Sequence, residues 1–334
     1  MTRLPGGATR LALALGGLGL LGASAVLRTP AGHVEPSARA TSAVQADAGT
    51  VTFGALPATG AGLGPDWDLP NLDHPRIDYW VDRFQNVPEM REKFGGFLER
   101  GAEWAPMILE RLESRGMPLD LLYLAMIESG FNPVATSHAS AVGIWQFMAP
   151  TGRQYGLAMD RAVDERRDPI RATDAALDYL EQLHRRFGSW YLASAAYNTG
   201  QGRLSRIMRQ QFGRERARGE EDYYRILDRL PAETRDYVPL MIAAARITKD
   251  PAAYGFAPMQ LRPREWDELT VPPATPLDRL AERVGASLAE IRELNPHLLL
   301  DRTPNNRAYP VRLPAGSLVH LAGTGIASDE TLAE

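Results

Sequence analysis

The 334 residues are 44% hydrophobic, enough to bury a sizeable core, and the length allows two domains. The net charge of −4 is small and no basic stripe dominates the composition, which argues against nucleic acid as a partner. The chain has no cysteine, which excludes disulfides, thiolate metal sites and a thiol nucleophile. The six histidines are scattered singly and none belongs to an HExxH motif, so we predict neither a metal site nor a cofactor.

Residues 1–28 have the pattern of a signal peptide. Arg3 and Arg10 precede an apolar run from Leu11 to Leu21, and a small-residue stretch, Ala-Ser-Ala, ends at Ala25. This order predicts export to the periplasm or cell envelope, with cleavage after Ala25. The apolar run is close to the shortest length that spans a bilayer, so the alternative is an uncleaved anchor that holds the protein at the membrane. Without a cysteine, the chain is not expected to be a lipoprotein.

Residues 29–70 are rich in Ala, Gly, Pro, Ser and Thr and show no hydrophobic periodicity, which predicts a flexible linker. Helical periodicity begins after His74. A first helix places its large apolar residues on one face, and a second helix is predicted from Phe97 to Arg115. Both are interpreted as scaffold of the core. The apolar face of the first helix is formed by Ile77, Trp80, Val81 and Phe84.

The segment that begins at Pro118 predicts a helix that is apolar on every side and therefore buried. Pro118 suits the first helical position, and Gly130 suits the residue just past the end. Glu128 then lies in the last turn. Burial and the negative end of the helix dipole both favour the protonated carboxyl, which is the state a general acid needs. The alternative is a solvated glutamate at a helix end.

Three later helices have clear termini in the sequence. Asp168 followed by Pro169 predicts an N-cap for a helix up to Phe187. A helix of small residues from Trp190 ends at Asn198, so side chains at its end are free to face a groove. Tyr237 lies in a further apolar helix, where a tyrosine on its own is most often a core residue.

Three motifs, in this order, resemble those of the SLT-type lytic transglycosylases: Glu128-Ser129, then AVGIWQFM from Ala141 to Met148, then AYNTG from Ala196 to Gly200. The sequence GIWQFM within the second motif is most similar to that of the membrane-bound D type. One departure is Ala149, where Pro is expected directly after the methionine. The resemblance implies a lysozyme-like fold and an enzyme that cleaves the MurNAc-GlcNAc bond of peptidoglycan.

The same resemblance implies a mechanism with one carboxyl group. Glu128 protonates the leaving oxygen and then, as a carboxylate, takes the proton of the MurNAc C6 hydroxyl while that oxygen closes onto C1. Ser137 is expected to hold the attacking hydroxyl or a water molecule near it. Tyr237, which follows Glu-Thr-Arg, is expected to donate a hydrogen bond to Glu128, in contrast to the core role that its helix alone suggests.

The remaining candidates are expected to bind the glycan strand. Gln146 and Met148 line the groove, and Asn198 bonds the N-acetyl group or supports its loop. Tyr197, like Trp145, is interpreted either as a stacking surface for a sugar or as packing.

Residues 265–320 read as strand, helix, helix, strand, an order that resembles the LysM glycan-binding module. Ser287 and Glu290 form a predicted capping box for the second of these helices. The usual opening of the module is replaced by Leu269-Thr270-Val271-Pro272-Pro273, so a small structural cap without glycan affinity is the alternative. Residues 321–334 are predicted to be a disordered tail.

These patterns together predict a mainly α chain, with a lysozyme-like SLT catalytic domain over 71–258 and a small βααβ LysM-like module over 265–320. The predicted function is a peptidoglycan lytic transglycosylase that leaves 1,6-anhydro-MurNAc ends. Its partner is the glycan strand, and no obligate protein partner is evident. Two alternatives stay open: a muramidase like the goose-type lysozymes, which delivers water, and a wall-binding protein without activity.

Overall fold

A computed structural model describes residues 49–51 and 63–323. The predicted signal or anchor over residues 1–28 therefore lies outside the described residues, as does the tail after residue 323. Within the described part of the chain, no helix combines the length and the apolar character needed to cross a membrane.

The described residues form twelve α-helices and three short strands. The helices are α1 (Pro75–Asn86), α2 (Pro88–Ser114), α3 (Leu122–Ser129), α4 (Ala149–Gln154), α5 (Pro169–Phe187), α6 (Trp190–Thr199), α7 (Gln201–Phe212), α8 (Asp222–Arg225), α9 (Ala232–Lys249), α10 (Leu277–Val284), α11 (Leu288–Leu294) and α12 (Ser317–Gly323). The strands are β1 (Gly49–Val51), β2 (Trp266–Val271) and β3 (Tyr309–Pro314).

Helix α3 is the centre of the larger domain. All its residues from Leu122 to Glu128 are buried, and it packs against α2 and α9. The first turn is a 3-10 turn, Leu119–Leu121, so the α-helix begins later than Pro118. Its end agrees with the sequence prediction, because Gly130 adopts a left-handed φ of 60° and its N–H bonds to Met126 O at 2.8 Å. This helix therefore brings one carboxyl group into an apolar interior.

Part of the predicted linker is ordered against the larger domain. Leu69 is 2% exposed, and the backbone N–H groups of Asp68 and Leu69 both donate to the carboxylate of Asp120. Lys249 Nζ lies 2.8 Å from the same carboxylate. The linker prediction is wrong for residues 63–70, because isolated apolar residues in a Gly- and Pro-rich stretch give no periodic signal.

The smaller domain has the predicted order of strand, helix, helix and strand around its own apolar core. β2 pairs antiparallel with β3, and β1 adds to the other edge of β2. The capping box of Ser287 and Glu290 is present at the start of α11. Two differences from the sequence predictions are β1, which lies within the predicted linker, and α12, which extends three residues into the predicted tail.

The backbone of the smaller domain pairs with that of the larger domain. Asp164 N donates to His297 O at 2.9 Å, and Leu299 N donates to Ala162 O at 2.8 Å. Val163 and Leu298 lie between these two hydrogen bonds as an antiparallel bridge. The smaller domain is therefore fixed to the segment that immediately precedes α5.

A buried ion pair lies at this junction. Asp168 is 1% exposed and accepts two hydrogen bonds from Arg312 of β3, at 2.8 and 2.7 Å, while it also caps the start of α5 as predicted. Burial alone would raise the pKa of Asp168, but the charge and hydrogen bonds of Arg312 hold it at about 2. His297 lies beside this pair, and burial lowers the pKa of His297 to about 4, so its ring is neutral at neutral pH. Arg312 thus supplies the closest positive charge to the buried carboxylate, and Arg171, at 3.8 Å, supplies a second one.

We expect Arg312→Met to destabilise the full chain by about 3 to 5 kcal/mol, because it removes both side-chain hydrogen bonds to the buried Asp168 carboxylate and leaves only Arg171, whose Nε is 3.8 Å away, as a cation. The measurement is the free energy of unfolding from urea titration at pH 7. Arg307→Met is the matched control, since Arg307 also reaches an aspartate of the larger domain, Asp160, but across 3.5 Å at the surface. That variant should cost at most about 1 kcal/mol.

The penalty of Arg312→Met should shrink with acid. The folded-state pKa of Asp168 is depressed to about 2, so the stability it contributes is present above its unfolded pKa of about 3.9 and is lost as pH falls towards the folded value. Equal penalties for the two arginine variants at pH 7 would contradict a dominant role for the buried pair.

Candidate active site

Glu128 lies in the last turn of α3 and is 4% exposed. Ser129, the next residue, donates to Ile144 O at 2.8 Å and accepts from Asn132 N at 3.1 Å. These two bonds tie the end of α3 to the loop that carries the second motif. The position of the carboxyl is therefore set by a helix on one side and by a loop on the other.

Tyr237, from α9, donates its hydroxyl proton to Glu128 Oε1 at 2.5 Å. Burial raises the pKa of Glu128 to about 8; the hydrogen bond from Tyr237 lowers it, and the nearby charge of Glu233 raises it further. Burial is the largest of the three effects. At neutral pH Glu128 is therefore mostly protonated, and it can give up its proton at modest cost.

Glu233 is a second carboxyl group near Glu128, and the sequence did not predict it as a site residue. It precedes Tyr237 by four residues on α9, and this spacing puts both side chains on one helix face. Glu233 is half-buried, and burial raises the pKa of Glu233 while the amide of Asn198 opposes that shift. The i, i+4 spacing to Tyr237 was a signal in the sequence that could have identified it.

Asn198, at the end of α6, meets α9 from the other side. Its Oδ1 accepts a hydrogen bond from Thr234 Oγ1 at 2.7 Å, which fixes the direction of the amide. Its Nδ2 lies near enough to the Glu233 carboxylate to lower the pKa of Glu233, but the two groups do not reach good hydrogen-bond geometry, and Thr199 Oγ1 is buried without a partner. Buried polar atoms normally find partners, so these groups are suited to a ligand that brings an amide or hydroxyl group between them.

Gln146 lies at a strained point of the second-motif loop. Its φ is 48°, a conformation that costs a non-glycine residue about 1 to 3 kcal/mol. Val142 and Phe147 exchange two backbone hydrogen bonds across this turn, at 3.1 and 3.0 Å. The side-chain Nε2 donates to Gly143 O at 2.8 Å, and Oε1 is buried without a partner. The loop therefore presents an oriented acceptor.

Gly143 and Arg166 hold that loop in place. Gly143 has a φ of 87°, and a Cβ atom there would lie 1.8 Å from Arg166 O, so no other residue fits. The Arg166 guanidinium donates to Ser140 O at 3.0 Å and to Phe147 O at 3.1 Å. Its charge is balanced by Asp164 at 2.8 Å. Arg166 was not identified from the sequence, where only Asp168 in this segment was given a role, as an N-cap.

Ser137 and Met148 lie at the two ends of the same loop region. Ser137 is 5% exposed, and its hydroxyl oxygen accepts from Ala141 N at 3.0 Å. Met148 is half-buried and is the N-cap of α4. Neither residue forms a hydrogen bond with Glu128.

The two aromatic candidates differ in position. Trp145 is fully buried, and its Nε1 donates to Thr173 Oγ1 at 2.9 Å, so it packs in the core and offers no face to a sugar. Tyr197 is half-buried, and its hydroxyl donates to Trp145 O at 2.8 Å. Burial first, and then the charge of Glu128, raise the pKa of Tyr197. The structure thus brings Glu128, Tyr237 and Tyr197 together; Asn198 follows Tyr197 in the chain, and Gln146 follows Trp145, whose carbonyl oxygen Tyr197 contacts.

A cavity of about 640 Å³ opens beside the end of α3. Its walls include Ser129, Asn132 and Thr136, together with Phe97 and Arg100 of α2. The volume lies within the usual range of ligand sites. Its lining does not include Glu128, Tyr237, Asn198 or Gln146, so the cavity adjoins the candidate site without containing it. In the described residues, no group of three His, Cys, Asp or Glu side chains is arranged to hold a metal ion.

Comparison with known proteins connects this geometry to a family. The membrane-bound lytic murein transglycosylase D of Escherichia coli is 32% identical over 245 residues, which cover 71% of this chain and 53% of that protein. The chain thus spans about half the length of this curated relative.

Two solved structures are also similar. The 70 kDa soluble lytic transglycosylase of Escherichia coli has a TM-score of 0.36 and 24% identity, over 46% of this chain and 25% of that one. An inactive mutant of the lytic transglycosylase Slt from Pseudomonas aeruginosa has a TM-score of 0.35 and 20% identity, over 59% of this chain and 40% of that one.

Two domain families match separate parts of the chain. Residues 107–218 match the Transglycosylase SLT domain, which includes Glu128 and the three motifs. Residues 265–322 match the LysM-like domain of lytic transglycosylase MltD. The predicted fold class, mainly α with a lysozyme-like SLT domain and a small LysM-like module, is confirmed. Within this chain, a segment that matches the transglycosylase SLT domain is therefore followed by one that matches the LysM-like domain of lytic transglycosylase MltD.

Proposed function

We propose that the protein is a peptidoglycan lytic transglycosylase that cleaves the MurNAc-β-1,4-GlcNAc bond and leaves 1,6-anhydro-MurNAc ends. The observation that carries the proposal is the buried carboxyl of Glu128, whose pKa of about 8 keeps it protonated at neutral pH. The SLT domain and the name of the Escherichia coli relative support the same activity.

In the first step Glu128 donates its proton to the glycosidic oxygen, and the bond from that oxygen to C1 of MurNAc breaks. The N-acetyl carbonyl of the same sugar stabilises the positive charge at C1. In the second step the C6 oxygen forms a bond to C1, and the Glu128 carboxylate takes the C6 hydroxyl proton. No water is consumed, and Glu128 ends protonated. Acid-base assistance of this kind contributes roughly 100- to 10,000-fold in rate.

Tyr237 makes the return of the proton possible. Its hydrogen bond stabilises the ionised carboxylate that exists between the two steps, whereas burial stabilises the protonated form that begins and ends the cycle. A carboxyl with burial alone would hold its proton too tightly to act as a donor. The pair therefore balances the two roles of a single residue.

The glycan strand is proposed to bind to the polar atoms that the protein leaves unpaired. Asn198 Nδ2 is suited to a carbonyl such as that of an N-acetyl group, and Gln146 Oε1 is suited to a sugar hydroxyl or amide N–H. Met148 and Tyr197 supply half-buried surface beside them. Ser137 still has a hydroxyl proton to donate, which is consistent with holding the attacking oxygen.

Hydrolysis is a second candidate, and Glu233 is the observation that favours it. Inverting glycosidases use one carboxyl as an acid and another to activate water. Glu233 lies close enough to raise the pKa of Glu128, and its own raised pKa suits a base. A muramidase of this kind would leave reducing MurNAc ends.

We also propose that the protein acts in the cell envelope, with peptidoglycan glycan strands as its partner. The name of the relative includes the words membrane-bound, and the sequence pattern of residues 1–28 is typical of an exported or anchored protein. The LysM-like domain is consistent with retention on the wall.

Glu128→Gln should fold with near-normal stability and bind glycan, and it should lose at least about 100-fold in turnover, because an amide neither donates the proton nor accepts one. Turnover is measured on purified peptidoglycan by chromatography and mass analysis of the released muropeptides. The wild-type product should be lighter by one water than a lysozyme product and should have no reducing end.

Glu181→Gln is the control, since Glu181 is an exposed residue of α5 that pairs with Arg185. It should retain full turnover. Reducing MurNAc ends from the wild-type protein, lost in Glu233→Gln, would favour the muramidase. Turnover that survives in Glu128→Gln would rule out both enzymatic candidates as formulated.

The dependence of kcat/KM on pH should have an alkaline limb near pH 8, since Glu128 loses its proton as pH rises through its pKa of about 8. Two variants should move this limb in opposite directions. Tyr237→Phe removes the hydrogen bond that lowers the pKa of Glu128, so the limb should move to higher pH. Glu233→Gln removes the charge that raises it, so the limb should move to lower pH.

The pH profiles of the three proteins on the same soluble glycan chains test this assignment. A shift of both variants in one direction would mean that the limb belongs to another group.

Replacement of Leu13, Leu15 and Leu18 by Asp should leave the protein in the cytoplasm, because each acid costs about 2.5 to 3.5 kcal/mol in the centre of an inserting helix. Cell fractionation measures this outcome, and the matched replacement by Ala should preserve export. The intact mass of the exported wild-type protein then distinguishes cleavage after Ala25 from a retained anchor.

A further inference from the structure

A second cavity, of about 570 Å³, lies between the two domains. One wall is α2 and the loop at Pro133 and Val134, and the other is the end of α11 with the loop that follows it. We refer to it as the interdomain cavity, and to the cavity beside Ser129 as the groove cavity. Arg100 lines both, so the two cavities meet at this side chain.

Three arginines line the interdomain cavity, but two of them already have carboxylate partners. Arg264 pairs with Glu103 at 3.1 Å and also with Glu293, and Arg292 pairs with Asp301. Arg100 differs: its Nε donates to Gly130 O at 2.7 Å, and the described residues supply no carboxylate to its two terminal nitrogens. Arg100 is therefore an exposed guanidinium that forms no ion pair within the described residues, and Glu99 is the charged group that acts on it through space.

Arg100 is positioned by its hydrogen bond to a residue next to the candidate active site. Gly130, whose carbonyl it holds, is the residue that ends α3 two positions after Glu128. Its guanidinium also lies 5.8 Å from the centre of the Phe97 ring. With Nε committed to the backbone and one face near a ring, the guanidinium is held in one place, and its two terminal nitrogens retain protons to donate to a carboxylate.

The surroundings favour a ligand with both signs of charge and small apolar groups. Glu89, Glu92 and Lys93 line the groove cavity on the far side of Arg100. Val134 and Leu299, at the interdomain cavity, are 48% and 44% exposed, which is unusual for large aliphatic residues in a concave site. A purely anionic ligand would meet the two glutamates, whereas a zwitterionic peptide would find complementary charges.

We propose that Arg100 binds a carboxylate of the peptidoglycan stem peptide, and that the interdomain cavity is the subsite for this peptide. The inference rests on the proposed function. A glycan strand in the groove carries its peptides on the lactyl ether of each MurNAc, so a peptide beside the cleaved bond must leave the groove sideways. The opening at Arg100 provides that exit, and the peptide carries carboxylates, an amino group and alanine methyl groups. Because the LysM-like domain forms one wall, the subsite exists only where the two domains are docked.

The test compares two forms of one substrate: uncross-linked glycan chains with tetrapeptide stems, before and after conversion of the stem carboxylates to primary amides. For the wild-type full-length protein, kcat/KM should be about tenfold higher on the free carboxylates, which is the effect of one charge-assisted hydrogen bond. In Arg100→Gln this ratio should fall to about one. Arg100→Lys keeps the charge without the planar fork and should give an intermediate ratio.

Arg91→Gln is the matched control, since Arg91 is also on α2 and also donates to backbone carbonyls, those of Gln85 and Tyr254, but lines neither cavity. Its ratio should equal that of the wild-type protein even if its activity is lower. If Arg100 only supports Gly130, Arg100→Gln will lower both rates equally and leave the ratio unchanged, which overturns the proposal. A wild-type ratio of one overturns it as well.

The same ratio can be measured in binding, by calorimetry with Glu128→Gln as the background. Absence of turnover in the wild-type protein would reject the proposed function. A binding ratio of about ten that is lost with Arg100→Gln would still support the peptide subsite. A binding ratio of one would reject the subsite, whatever the enzyme does.

Discussion

One interaction organises the candidate site of the larger domain: a buried carboxyl is protonated at neutral pH and also accepts a hydrogen bond that favours its ionisation. The apolar helix α3 favours the protonated form by burying Glu128, and Tyr237 favours the ionised form through a 2.5 Å hydrogen bond. The two effects oppose each other, and burial is the larger. Because Tyr237 reaches the end of α3 from α9, a buried hydrogen bond joins these two helices in addition to their apolar contact. The face of α9 that carries Tyr237 then also carries Glu233.

The smaller domain is connected to the candidate active site through hydrogen bonds to the segment that precedes α5 and through Arg166 in that segment. Its backbone pairs with residues 162–164, and the next residues include Arg166, whose guanidinium and carbonyl oxygen both touch the loop of Gly143 and Gln146. A strained loop keeps its shape only when its surroundings determine it. The LysM-like domain is therefore part of the scaffold of the site, which differs from a module that acts on its own at the end of a linker.

The local patterns of the sequence predict the helices and their caps well. Gly130 ends α3 with a left-handed φ, Asp168 caps α5, and Ser287 with Glu290 forms the capping box of α11, each as expected. These features depend on residues within one turn of each other. The pair of Asp168 with Arg312 joins residues 144 positions apart, and local patterns contain no information on such a contact. Glu233 is an intermediate case. Its spacing to Tyr237 in the sequence indicates a shared helix face, but only the packing of α9 against α3 shows that this face is near Glu128.

Two of the deeply buried carboxyls in the described residues show how one type of side chain takes opposite charge states. Glu128 is 4% and Asp168 1% exposed, so burial penalises the charged form of both. Asp168 lies at the N-terminus of a helix and accepts hydrogen bonds from the backbone and from a guanidinium, so its pKa is about 2. Glu128 lies at the C-terminus of a helix, where the dipole opposes negative charge, and its partner is a neutral hydroxyl, so its pKa is about 8. Burial raises the energy of a carboxylate in both places, and the partner decides whether the result is a structural ion pair or an acid with a proton to transfer.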